Sequence, residues 1–310
     1  MIRFGICFSG DFKGTNPLGD IGRKLPVYLR LLEFCQRQNW EVYVTTRKTY
    51  EKEGVFNGAW LFSSSDGKFV QVPEKIKIDI VYDRTGGVLF PPQGDSLRVV
   101  NVRKFKILCW DKWAAYKETG KYMPTTFWVG GKENLKAVLQ KVGSAKVVLK
   151  PFNGLKGIGI FIGEAKAAYR FDFAKRKYIA QEFIDTSGGI ENIVKGFHDL
   201  RVAIVNGKPV WCHVRTPKEG SLKANVAEGG TLTEVDYKKV PDAIKKIVDE
   251  ISKDFYLKYD NPAYSLDFGM EKGKPFIFEI NDQIGFPLPN AKGKDNFLNE
   301  LINNFESKIT

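Results

Sequence analysis

The stretch YSLDFGMEKGKPFIFEIND, Tyr264 to Asp282, brings acids and an amide to a spacing that can hold a metal ion. Two runs rich in aromatic and branched residues flank a short turn from Glu271 to Lys274. A three-residue hairpin loop centred on about Lys272 to Gly273 places Asp267 opposite Glu279, and directly opposed residues share a face. Asn281, two residues beyond Glu279, joins them. Leu266, Phe268, Phe278 and Ile280 are then expected to point the other way, into a core. Two carboxylates and an amide oxygen are hard ligands suited to magnesium, which keeps waters and also binds substrate phosphates. Opposed acids repel unless a cation joins them, which weighs against a merely solvated outer face.

The second constellation is Lys150 at the end of an expected strand, followed by Pro151 and the loop Asn153 to Gly159, NGLKGIG. Glycines free the backbone to wrap its amides round phosphate oxygens, and a neighbouring lysine supplies the cation. The loop lacks the Gly-Lys-Ser/Thr of a P-loop, and the IGIFIG that follows alternates like a strand instead of opening a helix. Strand, glycine loop, strand is a hairpin able to close over a nucleotide, although taken alone it also suits an ordinary exposed hairpin. The Asp267-Phe268-Gly269 string also spells the metal motif of protein kinases, but no His-Arg-Asp catalytic loop precedes it.

Positioning these residues requires an α/β framework. Ile2 to Phe8 reads as a strand, Ser9 to Gly22 as a polar loop, and a helix carrying Leu25, Leu31, Leu32 and Cys35 follows. Trp40 to Thr46 and Ile78 to Arg84 read as further strands of a parallel sheet, whose ligands are expected at the loops Ser9 to Gly14 and Arg84 to Gly87. Asp111 to Thr119 reads as a helix, and Glu133 to Val142 as another that stops at Gly143. The expected organisation is a small open α/β domain over 1–100, a central segment over 101–183 with the glycine hairpin, and a third over 184–310 with the metal face.

Composition sets the outer bounds. The 310 residues are 43% hydrophobic and 27% charged, long for one core, so two or three packed units are expected. Net charge is +12. Residues 1–100 carry +3, residues 101–183 carry +11 and residues 184–310 carry −2, a division that fits a central segment receiving polyphosphate and a last one supplying acids. The four cysteines are scattered without a Cys-x-x-Cys pair, and only His198 and His213 could help them, which argues against zinc. An apolar run long enough for a membrane span and a secretory signal are both lacking in the sequence, so the cytoplasm is the expected location, with no membrane partner.

With these motifs in one order, nearly the whole chain resembles the ATP-grasp enzymes, in particular the branch of ribosomal-protein glutamate ligases and bacterial glutathione synthetases. The resemblance implies an α/β (α+β) fold in which two subdomains clasp ATP. It implies phosphate contacts from Lys112, in an Asp-Lys step, and from Lys150. It implies an adenine-binding linker at Gln181, Glu182, Phe183 and Ile184, and a ribose contact from Asp199, with Asp185 in competition because the connector after the linker is long. Arg215 then falls where the reacting acyl group is stabilised, and Lys223 and Asn225 where the triphosphate is held, with lysine standing where the family usually has arginine. Asp267, Glu279 and Asn281 match the metal set, so ATP with two magnesium ions, manganese able to substitute, are the implied cofactors.

The activity implied is a ligase joining a carboxylate to an amine, each a small molecule or peptide, through an acyl phosphate. Arg84, Arg201 and Arg215 hint at an acidic substrate. A kinase on the same fold that makes no amide is the alternative within that framework. A basic RNA-binding protein is the other, supported by Trp110, Trp113, Tyr116, Phe171, Phe173 and Tyr178 among the lysines, but it leaves the metal face and glycine hairpin unexplained. Nucleic acid is therefore disfavoured as a partner, and a homo-oligomer is left open.

Overall fold

The computed structural model describes residues 1–10, 12, 16–154, 157–173, 176–222, 224 and 229–309. Three sheets carry the described chain. The first is built from β1 (Arg3–Phe8), β2 (Glu41–Thr46), β3 (Val55–Ser63), β4 (Lys68–Lys77), β5 (Ile80–Arg84) and β6 (Arg98–Val100), in the order β4-β3-β2-β1-β5-β6. Strands β2, β1, β5 and β6 run parallel, with α1 (Leu25–Arg37) between β1 and β2. Burial on both faces explains why β1 reads as a nearly continuous apolar run. The antiparallel β3–β4 hairpin adds an edge that sequence reasoning did not anticipate.

Helices α2 (Arg103–Trp110) and α3 (Lys112–Thr119) follow. Asp111 separates them: its carboxylate accepts from the Trp113 and Ala114 amides at 2.9 and 2.8 Å, an N-cap that stops one helix, starts the next and sets Lys112 at its first position.

The second sheet has β7 (Thr126–Val129), then α4 (Leu135–Val142), β8 (Lys146–Pro151), β9 (Phe161–Glu164), α5 (Ala165–Ala168) and β10 (Tyr178–Glu182), in strand order β7-β10-β8-β9. Gly143, at φ 69°, ends α4 in the left-handed conformation that a residue with a side chain adopts at a cost. Strands β8 and β9 pair antiparallel, so the glycine loop does join a hairpin.

The third sheet, β13-β12-β11-β14-β15, is antiparallel throughout: β11 (Asp199–Val205), β12 (Lys208–Thr216), β13 (Thr231–Glu234), β14 (Tyr264–Glu271) and β15 (Lys274–Asn281). Helix α6 (Asp242–Lys258) lies between β13 and β14, and α7 (Lys294–Glu306) closes the described fold.

Period-two alternation gives the third sheet two different faces. Leu200, Val202, Ile204, Cys212, Val214, Leu266, Phe268 and Ile280 form a core with α6, whose Ile244, Ile247, Val248, Ile251 and Phe255 make one stripe, and with Phe105 and Leu108 of α2. The opposite face is divided along its length. Ala203, Val205 and Trp211 share a core with the first sheet, α1 and α7, while the other end of that face is polar and carries the candidate site.

Candidate active site

Directly opposed positions of neighbouring strands carry opposite charges. Asp199 on β11 faces Arg215 on β12, and Arg201 on β11 faces Asp267 on β14. Arg201 donates to Asp267 through Nε and Nη2, both at 2.6 Å. Arg215 Nη2 reaches Asp267 at 2.8 Å and also pairs with Asp199. Asn281 donates to Asp267 at 3.3 Å. Asp267 is thus 2% exposed with both oxygens engaged, and a paired carboxylate is what burial tolerates.

The electrostatics follow from this packing. Burial alone would raise Asp267, but the charges of Arg201 and Arg215 outweigh it and hold the carboxyl well below the usual range. Asp199 goes the other way: burial and the negative Asp267 push it up to about 7 against the pull of Arg215. Its Oδ1 is buried without a hydrogen-bond partner among the described residues. Arg215 is raised, its burial overcome by Asp267 and Asp199.

Asp267 does stand opposite Glu279, but not for the reason expected. The loop has two residues, Lys272 and Gly273, both at positive φ (49° and 79°), the left-handed pair that a tight primed turn needs. A two-residue loop alone would leave the register one residue short. A bulge between Asp267 and Phe268 restores it by inserting one extra residue on β15, so that Phe268 pairs with Ile277 and Asp267 with Glu279. Phe278 is the residue displaced. Ile277 takes the core place expected for it, and Phe278 lines the cleft instead. Gly269 makes room, since a side chain there would run into the Phe278 ring.

That cleft lies between the second and third sheets and is lined by Lys112, Met123, Lys150, Ile179, Gln181, Phe278, Glu279 and Ile280. Lys112 Nζ stands 3.1 Å from Glu279 Oε1 and donates to the Gly154 carbonyl at 3.2 Å. Lys150 Nζ donates to the Phe278 carbonyl at 3.2 Å and sits 5.9 Å from that ring. Burial pulls Lys150 down to about 8, and the attraction of Glu279 only partly offsets it. The backbone amide of Lys112 bonds the Phe152 carbonyl at 3.1 Å, tying the start of the glycine loop to α3.

The expected linker begins at Gln181, which lines this cleft. Gln181 is buried and donates to Thr126 at 2.8 Å, Ile184 is buried, Phe183 receives Lys146 over its ring at 5.7 Å, and Glu182 pairs through its backbone amide with the Thr125 carbonyl at 2.9 Å. The two candidates for a ribose contact part company. Asp199 belongs to the arginine cluster, whereas Asp185 caps the following turn through Ser187 at 3.0 Å. Lys223 and Asn225 lie outside the described residues, as does Lys156 of the glycine loop.

The donor set suits a hard divalent cation. Asp267, Glu279 and Asn281 offer oxygen and no sulfur or imidazole, the unpartnered Asp199 Oδ1 lies on the same cluster, and Glu279 is the accessible member, its side chain 37% exposed. Among the described residues no group of three or more His, Cys, Asp and Glu side chains gathers that could hold a metal ion without the amide of Asn281. Asp267 is held by two arginines, so it would share its oxygens between guanidinium and metal.

Arg201 was the residue underread. Two positions from Asp199 on one strand, it had to share that face, and period two alone carried the signal. The histidines are structural. His198 Nε2 accepts from the Met270 amide at 3.2 Å, and His213 stacks on Trp211 at 4.2 Å with its basicity depressed by burial and by Arg201 and Arg215.

Comparison with known proteins agrees with the geometry. Residues 112–258 match the family described as prokaryotic glutathione synthetase, ATP-grasp domain. The chain is 28% identical over 179 residues to a protein named probable alpha-L-glutamate ligase from Psychromonas ingrahamii, a match covering 56% of this chain and 54% of that one, and a similar match exists in Halorhodospira halophila. The chain therefore spans about half the length of the curated relatives it matches. Over its whole length it superimposes on D-alanine–D-alanine ligase from Bacillus anthracis with TM-score 0.62 at 15% identity, covering 100% of this chain and 98% of that one. The RimK domain ATP-grasp protein of Sphaerobacter thermophilus gives 0.62 at 14% identity, covering 97% and 99%. Residues 112–258, which supply both lysines of the cleft between the second and third sheets, thus match an ATP-grasp domain, and the chain shares the fold of these solved structures.

Proposed function

We propose that this protein is an ATP-dependent ligase that activates a carboxylate as an acyl phosphate and joins it to an amine, releasing ADP and phosphate. The observation that carries the proposal is the placing of Lys112, Lys150 and Glu279 in one cleft whose wall continues into the Arg201, Arg215 and Asp267 cluster. Cations that hold phosphate and a guanidinium that can meet a developing oxyanion then stand in sequence along one surface. The resemblance to proteins named glutamate ligase supports an amino acid or peptide as one substrate.

ATP would be held in the cleft with its base against the linker 181–184 and its phosphates toward Lys150 and Lys112, with Asp199, Lys223 and Asn225 completing the contacts. Magnesium, as two ions, or manganese in its place, would be held by Asp267, Glu279 and Asn281 and supply neutralisation of phosphate charge. Burial lowers Lys150 to about 8, and arriving phosphate charge favours its protonated form. Lys112, at the first position of the helix that Asp111 caps, points its Nζ to Glu279 and the Gly154 carbonyl. Arg201 locks the Asp267 carboxylate, and Asp267 in turn orients Arg215, so that the guanidinium meets the tetrahedral oxyanion without reorganising. Closure of the glycine loop would exclude water from the activated acid.

The test is ADP release measured against amino acids, short peptides and polyamines offered in pairs. Release that needs both a carboxylate and an amine supports the ligase. Release with a single alcohol substrate and no free phosphate replaces it with the kinase reading.

A further inference from the structure

A group of cations extends from Arg201, at the border of the cluster just described, toward the first sheet. Lys24, the last residue of the turn preceding α1, Arg84 at the end of β5, and Arg201 on β11 come from three separate elements and meet round Ile284 and Gly285, just beyond β15. A methyl group on Gly285 would lie 3.8 Å from both Lys24 Nζ and Arg201 Nη1. Arg201 uses Nε and Nη2 on Asp267, so Nη1 is the nitrogen left facing this point. Arg84 donates to the Ile284 carbonyl at 3.2 Å and to the Tyr82 hydroxyl at 3.2 Å, and its guanidinium stacks 5.3 Å from both the Tyr82 and Phe286 rings, which fixes it in place.

Acids offset the group only in part. Asp267 is already shared by Arg201 and Arg215. Asp282 attracts Arg84 electrostatically, but among the described residues it makes no ion pair with Arg84 or Lys24. Among the described residues no carboxylate pairs with Lys24. Burial, and then the charges of Arg84 and Arg201, lower Lys24 to about 8, as expected for a cation among cations. Like charges gathered in a half-buried pocket are unfavourable in the free protein and become favourable when an anion arrives. The pocket also stands at the carboxyl ends of the parallel strands β1 and β5, where open α/β sheets bind ligands.

We infer that Lys24, Arg84 and Arg201 form the recognition site for a substrate carboxylate that is not itself activated. This deepens the ligase reading and rests on it for the substrate's identity. The carboxylate has two sources: the acceptor, if it is an amino acid or peptide with a free terminus, or the donor, if it is a diacid. Arg201 then has two roles, with one edge of its guanidinium holding Asp267 and the remaining nitrogen touching the substrate.

The experiment compares wild type, Lys24→Gln and Lys24→Arg by calorimetric binding of L-glutamate, glutarate and their carboxamides to the full chain, beside ADP release with the same compounds. Lys24→Gln is expected to weaken binding of the carboxylate probes about tenfold or more, to leave carboxamide and ATP affinity unchanged, and to keep or raise the melting temperature. Lys24→Arg should restore most of the loss. Amino-acid probes affected with a monoacid donor assign the site to the acceptor, and diacids affected with a simple amine assign it to the donor. Equal loss for carboxylate and carboxamide probes, no loss in Lys24→Gln, or no binding of any carboxylate to wild type would overturn the inference. Lys24-dependent binding without ADP release from any pair would keep the anion site and remove the ligase reading. Turnover of acid and amine pairs with KM indifferent to Lys24→Gln would do the reverse.

Discussion

Arg201 grips Asp267 with two parallel 2.6 Å hydrogen bonds across directly opposed positions of β11 and β14, so an expected metal ligand is also the anchor of an arginine cluster. The two acids expected to hold metal therefore differ in kind. Asp267 is 2% exposed and ion-paired with two arginines, whereas Glu279 reaches solvent and pairs with Lys112. Asp267→Asn should cost about 3–5 kcal/mol of stability as well as activity, because it leaves buried guanidinium charge uncompensated. Glu279→Gln should abolish turnover with an unchanged melting temperature. Denaturant melts of both variants decide this. Equal stability for the two would mean that Asp267 is not the anchor.

Lys150 gives a pH signature. Its free-state value of about 8 is depressed by burial, and an arriving triphosphate favours the charged form. ATP binding at pH 8 should therefore take up roughly half a proton, and affinity should fall as pH rises from 8 toward 10. Titration calorimetry in buffers of different ionisation enthalpy measures the uptake. Zero uptake or proton release would place the phosphates away from Lys150.

Gly269 tests the bulge. An alanine there would push the Phe278 ring out of its place beside Lys150 and meet the Thr186 methyl at 2.8 Å. Gly269→Ala should cost about 1–3 kcal/mol by overpacking and weaken ATP binding as well. Gly273→Ala, strained at φ 79° but remote from the cleft, should cost about 1 kcal/mol and leave ATP affinity alone. Nucleotide titrations of both variants separate the effects. An unchanged affinity in Gly269→Ala would show that Phe278 does not touch the nucleotide.

Local pattern made much of this legible. Apolar runs mark β1, β2 and β5, Gly143 marks a helix end, and the hairpin between Tyr264 and Asp282 is legible from its turn, although the opposition of Asp267 and Glu279 comes from the bulge and not from the loop length expected. What escaped was set by tertiary context. The bulge on β15 inserts one residue with no compositional mark, so Phe278 was assigned to the core that Ile277 occupies. The convergence of Lys24, Arg84 and Arg201 joins residues far apart in the chain, and no spacing rule reaches that distance. Likewise α7, last in the described chain, packs on α1 near its beginning, because the apolar stripe Phe297, Leu298, Leu301, Ile302 and Phe305 completes the core shared with the first sheet.

The most direct test of the central claim is to offer hydroxylamine in place of the amine, with ATP, magnesium and a productive carboxylate, and to quantify hydroxamate, ADP and free phosphate together. The ligase account predicts equal amounts of all three. It also predicts that Arg215→Ala slows amide formation on the order of a hundredfold or more while ATP affinity changes little, since the guanidinium meets the oxyanion and not the nucleotide. ADP without free phosphate, no hydroxamate, and a stable phosphate ester on the product in mass spectra would contradict it, leaving the nucleotide site standing and the reaction a phosphorylation.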